Sequence, residues 1–274
     1  MFSAYLAPLL LAAVAVAQNT ALEVEAIQAH FTAAGIVPSL LSTFNPSAVA
    51  TLNFPGVGDI KPGQSLTRAQ VGPTPSVAIT PANSTVTLTG NFTLAMVDAG
   101  PVGSDESQGV TRHWLVNGAT VADNKVANAS AVAITQYAGP APPAGSGPHR
   151  YVVILYEQPA SFSPPEEFSQ PNIGVSVFDV NAYAQNSGLG NIVAATYITV
   201  EEGQTTASLS ATSAVVTSTL PVPSSTGSQS HSGSHSATSG GAAPSQTSQG
   251  NSATTLETSW GLVALLAGSF AAML

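Results

Sequence analysis

The chain has 274 residues, 44% hydrophobic and only 7% charged, with 5 Lys+Arg against 14 Asp+Glu and a formal net charge of −9. Five basic residues cannot build the cationic surface that releases counterions from a phosphate backbone, which excludes nucleic-acid binding. Without a cysteine, disulfides, a thiol nucleophile, a Cys-ligated zinc site and an iron–sulfur cluster are excluded too.

The apolar runs sit at the two ends, so a polytopic membrane protein is not expected. Residues 1–17 carry the apolar stretch 5–16 and close on Ala15-Val16-Ala17. These small residues suit signal peptidase, predicting cleavage before Gln18, although the stretch lacks a basic residue ahead of it. The alternative is a buried N-terminal helix. The body, 18–203, is expected to form one domain.

Helical spacing of Leu22, Ile27, Phe31 and Ala34, stopped by Gly35, predicts a helix over 22–34. His30 lies on it and reads as a surface or interface residue. Short β-branched or aromatic runs follow at 48–54, 76–80, 85–89 and 92–97, then at 111–116, 151–156, 175–178 and 193–200, separated by Pro, Gly and Asn. A short helix is expected within 178–187, ending at Gly188. The fold class is therefore mainly β, an antiparallel β-sandwich-like domain with a few short helices.

Beyond the body, residues 204–250 form a Ser/Thr-rich segment expected to be a disordered, O-glycosylated stalk. His231 and His235 have the spacing of a helical metal pair, but this composition gives them no helix, and no metal or cofactor is expected. Residues 251–274 combine the small triplet Asn251-Ser252-Ala253, a polar spacer and a terminal apolar tail. That order reads as a glycosylphosphatidylinositol signal with Asn251 as the attachment residue, Gly250 or Ser248 being alternatives, and as membrane attachment through the lipid. The tail is short for a spanning helix. Asn83, Asn91 and Asn128 open N-glycosylation sequons, and used sites must face solvent. Together these features predict a secreted protein of the outer membrane face or cell wall.

In so charge-poor a body each ionisable residue stands out. Asp98 closes an apolar run, His113 opens His113-Trp114-Leu115-Val116, and His149-Arg150 precedes an apolar strand behind the Gly/Pro-rich loop 139–148. Two imidazoles, a carboxylate and a loop of backbone N–H groups suit a small anion such as phosphate. The alternative is a turn-capping Asp and satisfied surface histidines. No Gly-x-Ser-x-Gly elbow or His-Glu-x-x-His motif occurs and no nucleophile is identifiable, so no catalytic residue is assigned and an enzyme is not expected.

Three segments occur in one order: 92–98 (Phe-Thr-Leu-Ala-Met-Val-Asp), 113–116 (His-Trp-Leu-Val) and 145–152 (Gly-Ser-Gly-Pro-His-Arg-Tyr-Val). With Gly35-Ile36-Val37-Pro38, Phe44, 66–71, Pro75 and 178–180, they resemble the phosphatidylethanolamine-binding protein family, in the form of a secreted, anchored fungal-type member. The resemblance implies an antiparallel β core with an anion pocket at Asp98, His113, Pro142, His149 and Tyr151, lined by Ala138 and Gly139. It implies a phosphate-bearing small molecule or phospholipid head group as ligand, with Arg150 either beside the pocket or in a structural ion pair. As in some members, inhibition of a serine carboxypeptidase is the alternative function, with the pocket degenerate; a structural wall role is a further one. After Asp98 the chain reads Ala-Gly-Pro-Val-Gly-Ser, where the family has Pro-Asp-Ala-Pro-Ser-Arg.

Overall fold

A computed structural model describes residues 7–205, 215 and 220, with side chains from Thr20 onward. The chain divides into two units, Met1–Ser225 and Thr226–Leu274, and the described residues belong to the first. Most of the expected stalk, including His231 and His235, and the attachment signal with Asn251 lie outside them.

Helix α1 (Ala7–Ala33) is longer than the periodicity of 22–34 predicts and runs without a break past position 17. Among the described residues, no helix is long and apolar enough to cross a membrane. Ile27, Phe31 and Ala34 are buried, and Phe31 stacks on Phe44 at 4.2 Å between ring centroids. Gly35 turns the chain at φ 64°, a left-handed backbone that favours glycine. A short turn of helix follows, α2 (Ile36–Ser39), with a cis Val37–Pro38 peptide bond.

Eleven strands follow among the described residues: β1 (Ala48–Phe54), β2 (Gly58–Asp59), β3 (Gln64–Leu66), β4 (Ser76–Pro81), β5 (Asn91–Asp98), β6 (Val110–Ala122), β7 (Lys125–Ala127), β8 (Val132–Thr135), β9 (His149–Gln158), β10 (Ser176–Phe178) and β11 (Ile192–Val200). Helix α3 (Val180–Ser187) precedes β11. Asp179 caps it by accepting from the N–H groups of Asn181 and Ala182, and Gly188 ends it in the left-handed region. The run 85–89, expected as a strand, is irregular. The Asn83 side chain accepts from the Thr85 N–H and hydroxyl, an Asx turn that competes with strand pairing.

The strands form one hydrogen-bonded sheet in the order β2-β1-β4-β7-β6-β5-β9-β11-β3, with β8 and β10 also pairing with β6. Only the β3–β11 pairing is parallel. The expected sandwich is thus corrected to a single sheet curled as a half-barrel. The reason is β6, whose thirteen residues run from the β5 arm into the β7 arm and join them.

Leu52, Phe54, Val77 and Ile79 of one arm meet Leu94, Met96, Trp114 and Val153 of the other in a first apolar core. Phe31, Ile36 and Phe44 pack on the opposite face, against Val97, Leu115, Val152 and Ile154. β5, β9 and β11 are therefore covered on both faces and read as unbroken apolar runs rather than alternating ones.

Candidate functional site

The site forms where β5 ends, β9 begins and β6 is bulged. Asp98 of β5 pairs with Tyr151 of β9 and with Thr111 of β6. Side chains alternate along a strand, so His149 and Tyr151 share one face and Arg150 points to the other. Between β5 and β6 the register steps from Met96↔Trp114 to Val97↔Arg112. His113 is the extra residue of that bulge, a device that re-aims a side chain.

Asp98 and His149 are joined directly: His149 Nδ1 lies 2.9 Å from both carboxylate oxygens, with their side chains only 10% and 12% exposed. The Gly100 N–H also donates to Asp98 Oδ1 (2.8 Å). With Nδ1 donating to the carboxylate, the imidazole is fixed in orientation. Its other nitrogen, Nε2, lies 2.8 Å from Ser146 Oγ. His113 donates from Nδ1 to the Ala138 carbonyl (2.9 Å), and the Ala138 N–H donates back to the His113 carbonyl (2.9 Å). That reciprocal pair clips the loop to the bulge.

Tyr151 lies between the imidazoles, edge-on to His113 at 5.2 Å and nearly parallel to His149 at 6.4 Å. Its ring is buried, and its hydroxyl has no hydrogen-bond partner at bonding geometry. Burial, reinforced by the Asp98 charge, pushes its phenol well above the ordinary range. The hydroxyl stays protonated, with the Asp98 carboxylate and the Ala141 backbone as its polar neighbours.

Pro142 is buried in the loop, and Ala138 and Gly139 are half-buried. Gly139 is required by close approach: a Cβ there would stand 2.8 Å from the Val71 carbonyl oxygen and 3.2 Å from Gly72 Cα. Gly139→Ala is expected to cost about 1–3 kcal/mol by overpacking, read as a lowered urea midpoint, and to disturb the His113–Ala138 clip.

Arg150 is a structural residue. It is 1% exposed and donates to the carbonyls of Ala34, Gly100, Ala99 and Pro101 (2.9, 2.9, 2.7 and 3.1 Å) and to Glu106 Oε1 (2.7 Å). Glu106 in turn accepts from the Ser39 hydroxyl (2.7 Å). One guanidinium thus ties the end of α1 to the segment after Asp98, where the sequence departs from the family pattern. A cavity of about 180 Å³ borders Asp98 and His149, lined also by Ala99, Asp105, Glu106, Val110 and Val177.

The structure brings together Asp98, His113, Ala138, His149 and Tyr151, with Gly139 and Pro142 in the adjoining loop. Ser146 was not among the residues singled out from sequence. Its position three residues before His149, between Gly145 and Gly147, was the available signal. Asn83, Asn91 and Asn128 are all exposed. Asn91 and Asp98 sit at opposite ends of β5, about 24 Å apart at the usual strand rise.

A mainly β fold thus brings a carboxylate–imidazole pair, a second imidazole and a buried phenol together at one end of its sheet. The profile of the phosphatidylethanolamine-binding protein family matches residues 57–201, and the chain belongs to that family. It is 31% identical over 156 residues to the 26 kDa secreted antigen of Toxocara canis, covering 54% of this chain and 56% of the antigen. It is 37% identical over 73 residues to the carboxypeptidase Y inhibitor of Saccharomyces cerevisiae, covering 25% of this chain and 33% of the inhibitor. The chain therefore spans about half of the first relative and a third of the second. Among solved structures, carboxypeptidase Y inhibitor complexed with its cognate proteinase matches with a TM-score of 0.53 at 23% identity, over 63% of this chain and 93% of that one, a likeness of fold.

Proposed function

We propose that this chain is an extracellular binding protein whose pocket takes a small anion, the phosphate of a small molecule or of a phospholipid head group. The observation that carries this reading is the Asp98–His149 pair, joined at 2.9 Å and gathered with the His113 imidazole around the buried Tyr151 ring at one end of the sheet. Imidazole N–H groups and a phenol are donors suited to phosphate oxygens. His113, with Nδ1 committed to Ala138, has Nε2 left to offer. The Asp98 carboxylate is occupied by His149 Nδ1 and by the Gly100 N–H, which turns its oxygens away from an incoming anion.

Titration with phosphate, followed by the imidazole NMR signals of His113 and His149, tests the reading. Progressive shifts are expected, and unchanged signals at millimolar phosphate would overturn it. Phosphoethanolamine in a parallel titration separates a head group from free phosphate.

A second reading, inhibition of a serine carboxypeptidase, is favoured by the likeness to the yeast inhibitor. Inhibition of carboxypeptidase Y that survives His113→Ala would support it and place the contact outside the pocket. Absence of inhibition by the wild-type chain would reject it.

The location belongs to the same proposal: a leader ending at Ala17, glycans at Asn83, Asn91 and Asn128, and a lipid at Asn251. Exposure of the three asparagines supports the glycans. Release from cells by phosphatidylinositol-specific phospholipase, with a mobility shift on deglycosylation, is the expected result.

A further inference from the structure

The binding reading gives Ser146 no task, yet its hydroxyl is held in a particular place. Ser146 Oγ lies 2.8 Å from His149 Nε2, and His149 Nδ1 lies 2.9 Å from Asp98. With the carboxylate keeping the proton of a neutral imidazole on Nδ1, the Nε2 lone pair faces the serine hydroxyl. That is the connectivity by which an imidazole activates a serine. Gly145 and Gly147 flank it with φ values of 79° and 92°, so the serine sits on a left-handed turn between residues with no Cβ to cover it. Ser146 is partly exposed.

The hydroxyl also lies 2.6 Å from the Pro143 carbonyl. One proton cannot serve both partners, and both are already in reach of the same oxygen. Turning the O–H from Pro143 to Nε2 therefore moves no heavy atom.

We propose that Ser146 is a nucleophile that accepts the acyl group of a short-chain carboxylic ester, with His149 as its base and Asp98 holding the imidazole. Ser146 Oγ attacks the carbonyl carbon as its proton passes to His149 Nε2. The ester C–O bond then breaks, and the alcohol leaves with that proton. Water attacks the acyl-serine by the same route, its proton passing through Nε2 to Ser146 Oγ, and the free acid leaves. Ser146 is partly exposed on its loop, with no Cβ on either neighbour, so a small ester reaches its hydroxyl from solvent. The activity shares Asp98 and His149 with the binding reading but has a separate readout.

The full chain is treated with p-nitrophenyl acetate and, separately, with an alkyl fluorophosphonate, and adducts are located by peptide mass mapping. One dominant adduct on Ser146 is expected, with release of p-nitrophenolate. Both should disappear in S146A, and labelling of D98N should be at least tenfold slower. Because the chain has no native cysteine, S146C offers a second measure: its alkylation by iodoacetamide should outpace that of a free thiol. Adducts spread evenly over other serines, no adduct on Ser146, or an S146C thiol no faster than free thiol would overturn the proposal. Labelling without phosphate-induced shifts at His113 would keep the nucleophile and reject the binding reading; shifts without labelling would do the reverse.

Discussion

Arg150→Met is expected to lower the stability of the fold by about 3–5 kcal/mol, the usual cost of breaking one side of a buried ion pair. The substitution leaves the Glu106 carboxylate uncompensated among buried groups and strips donors from four carbonyls. Urea unfolding should show a lowered midpoint with little change in slope. Arg112 provides the contrast. It is equally buried but has no carboxylate partner among the described residues, and it donates to Thr135 Oγ1, the Gly174 carbonyl and Ser176 Oγ. Its guanidinium lies over Phe168 and Phe178, and one nitrogen is unpartnered. Arg112→Met keeps much of that packing and strands no charge, so its loss should be the smaller of the two. A larger loss at Arg112 would refute this division of roles.

His149→Ala is expected to weaken phosphate binding by about 30-fold, corresponding to about 2 kcal/mol for the loss of a hydrogen bond to a charged group. Two effects combine. A donor is lost, and the Asp98 carboxylate, no longer covered by the imidazole, faces the anion. The second effect is separable: in the double variant D98A/H149A the repulsion is gone, so phosphate should bind more tightly than to H149A alone. Calorimetric titration of wild type and both variants measures this, and a double variant weaker than H149A would contradict the electrostatic account.

Asp98, His113 and His149 stand out in the sequence as rare ionisable residues at the ends of apolar runs, and strand ends are where loops gather. Their assembly with Tyr151, Pro142, Ala138 and Gly139 was implied only by the family resemblance. The short strands β2, β3, β7 and β8 carry too few residues to show a period. The aim of His113 depends on a bulge fixed by the registers of β5 and β6, which no local pattern contains. Ser146 gained its meaning only when the loop folded back over His149. The role of Arg150 was open between pocket and ion pair, because carbonyls from residues 34 and 99–101 decide it. Burial of Arg112 and Arg150 also sharpens the composition. Of five bases, only Lys61, Arg68 and Lys125 are exposed, and burial of Asp98 and Glu106 matches the burial of the two arginines, so the outer surface keeps the acidic balance of the sequence.

The chain leaves β11 beside the pocket. Val200 pairs with His149, and the Gly145 N–H donates to the Glu202 carbonyl at 2.8 Å. The loop that carries Ser146 is thus fastened to the residues by which the chain leaves the sheet, so a strain applied at 201–202 reaches the serine through a single hydrogen bond.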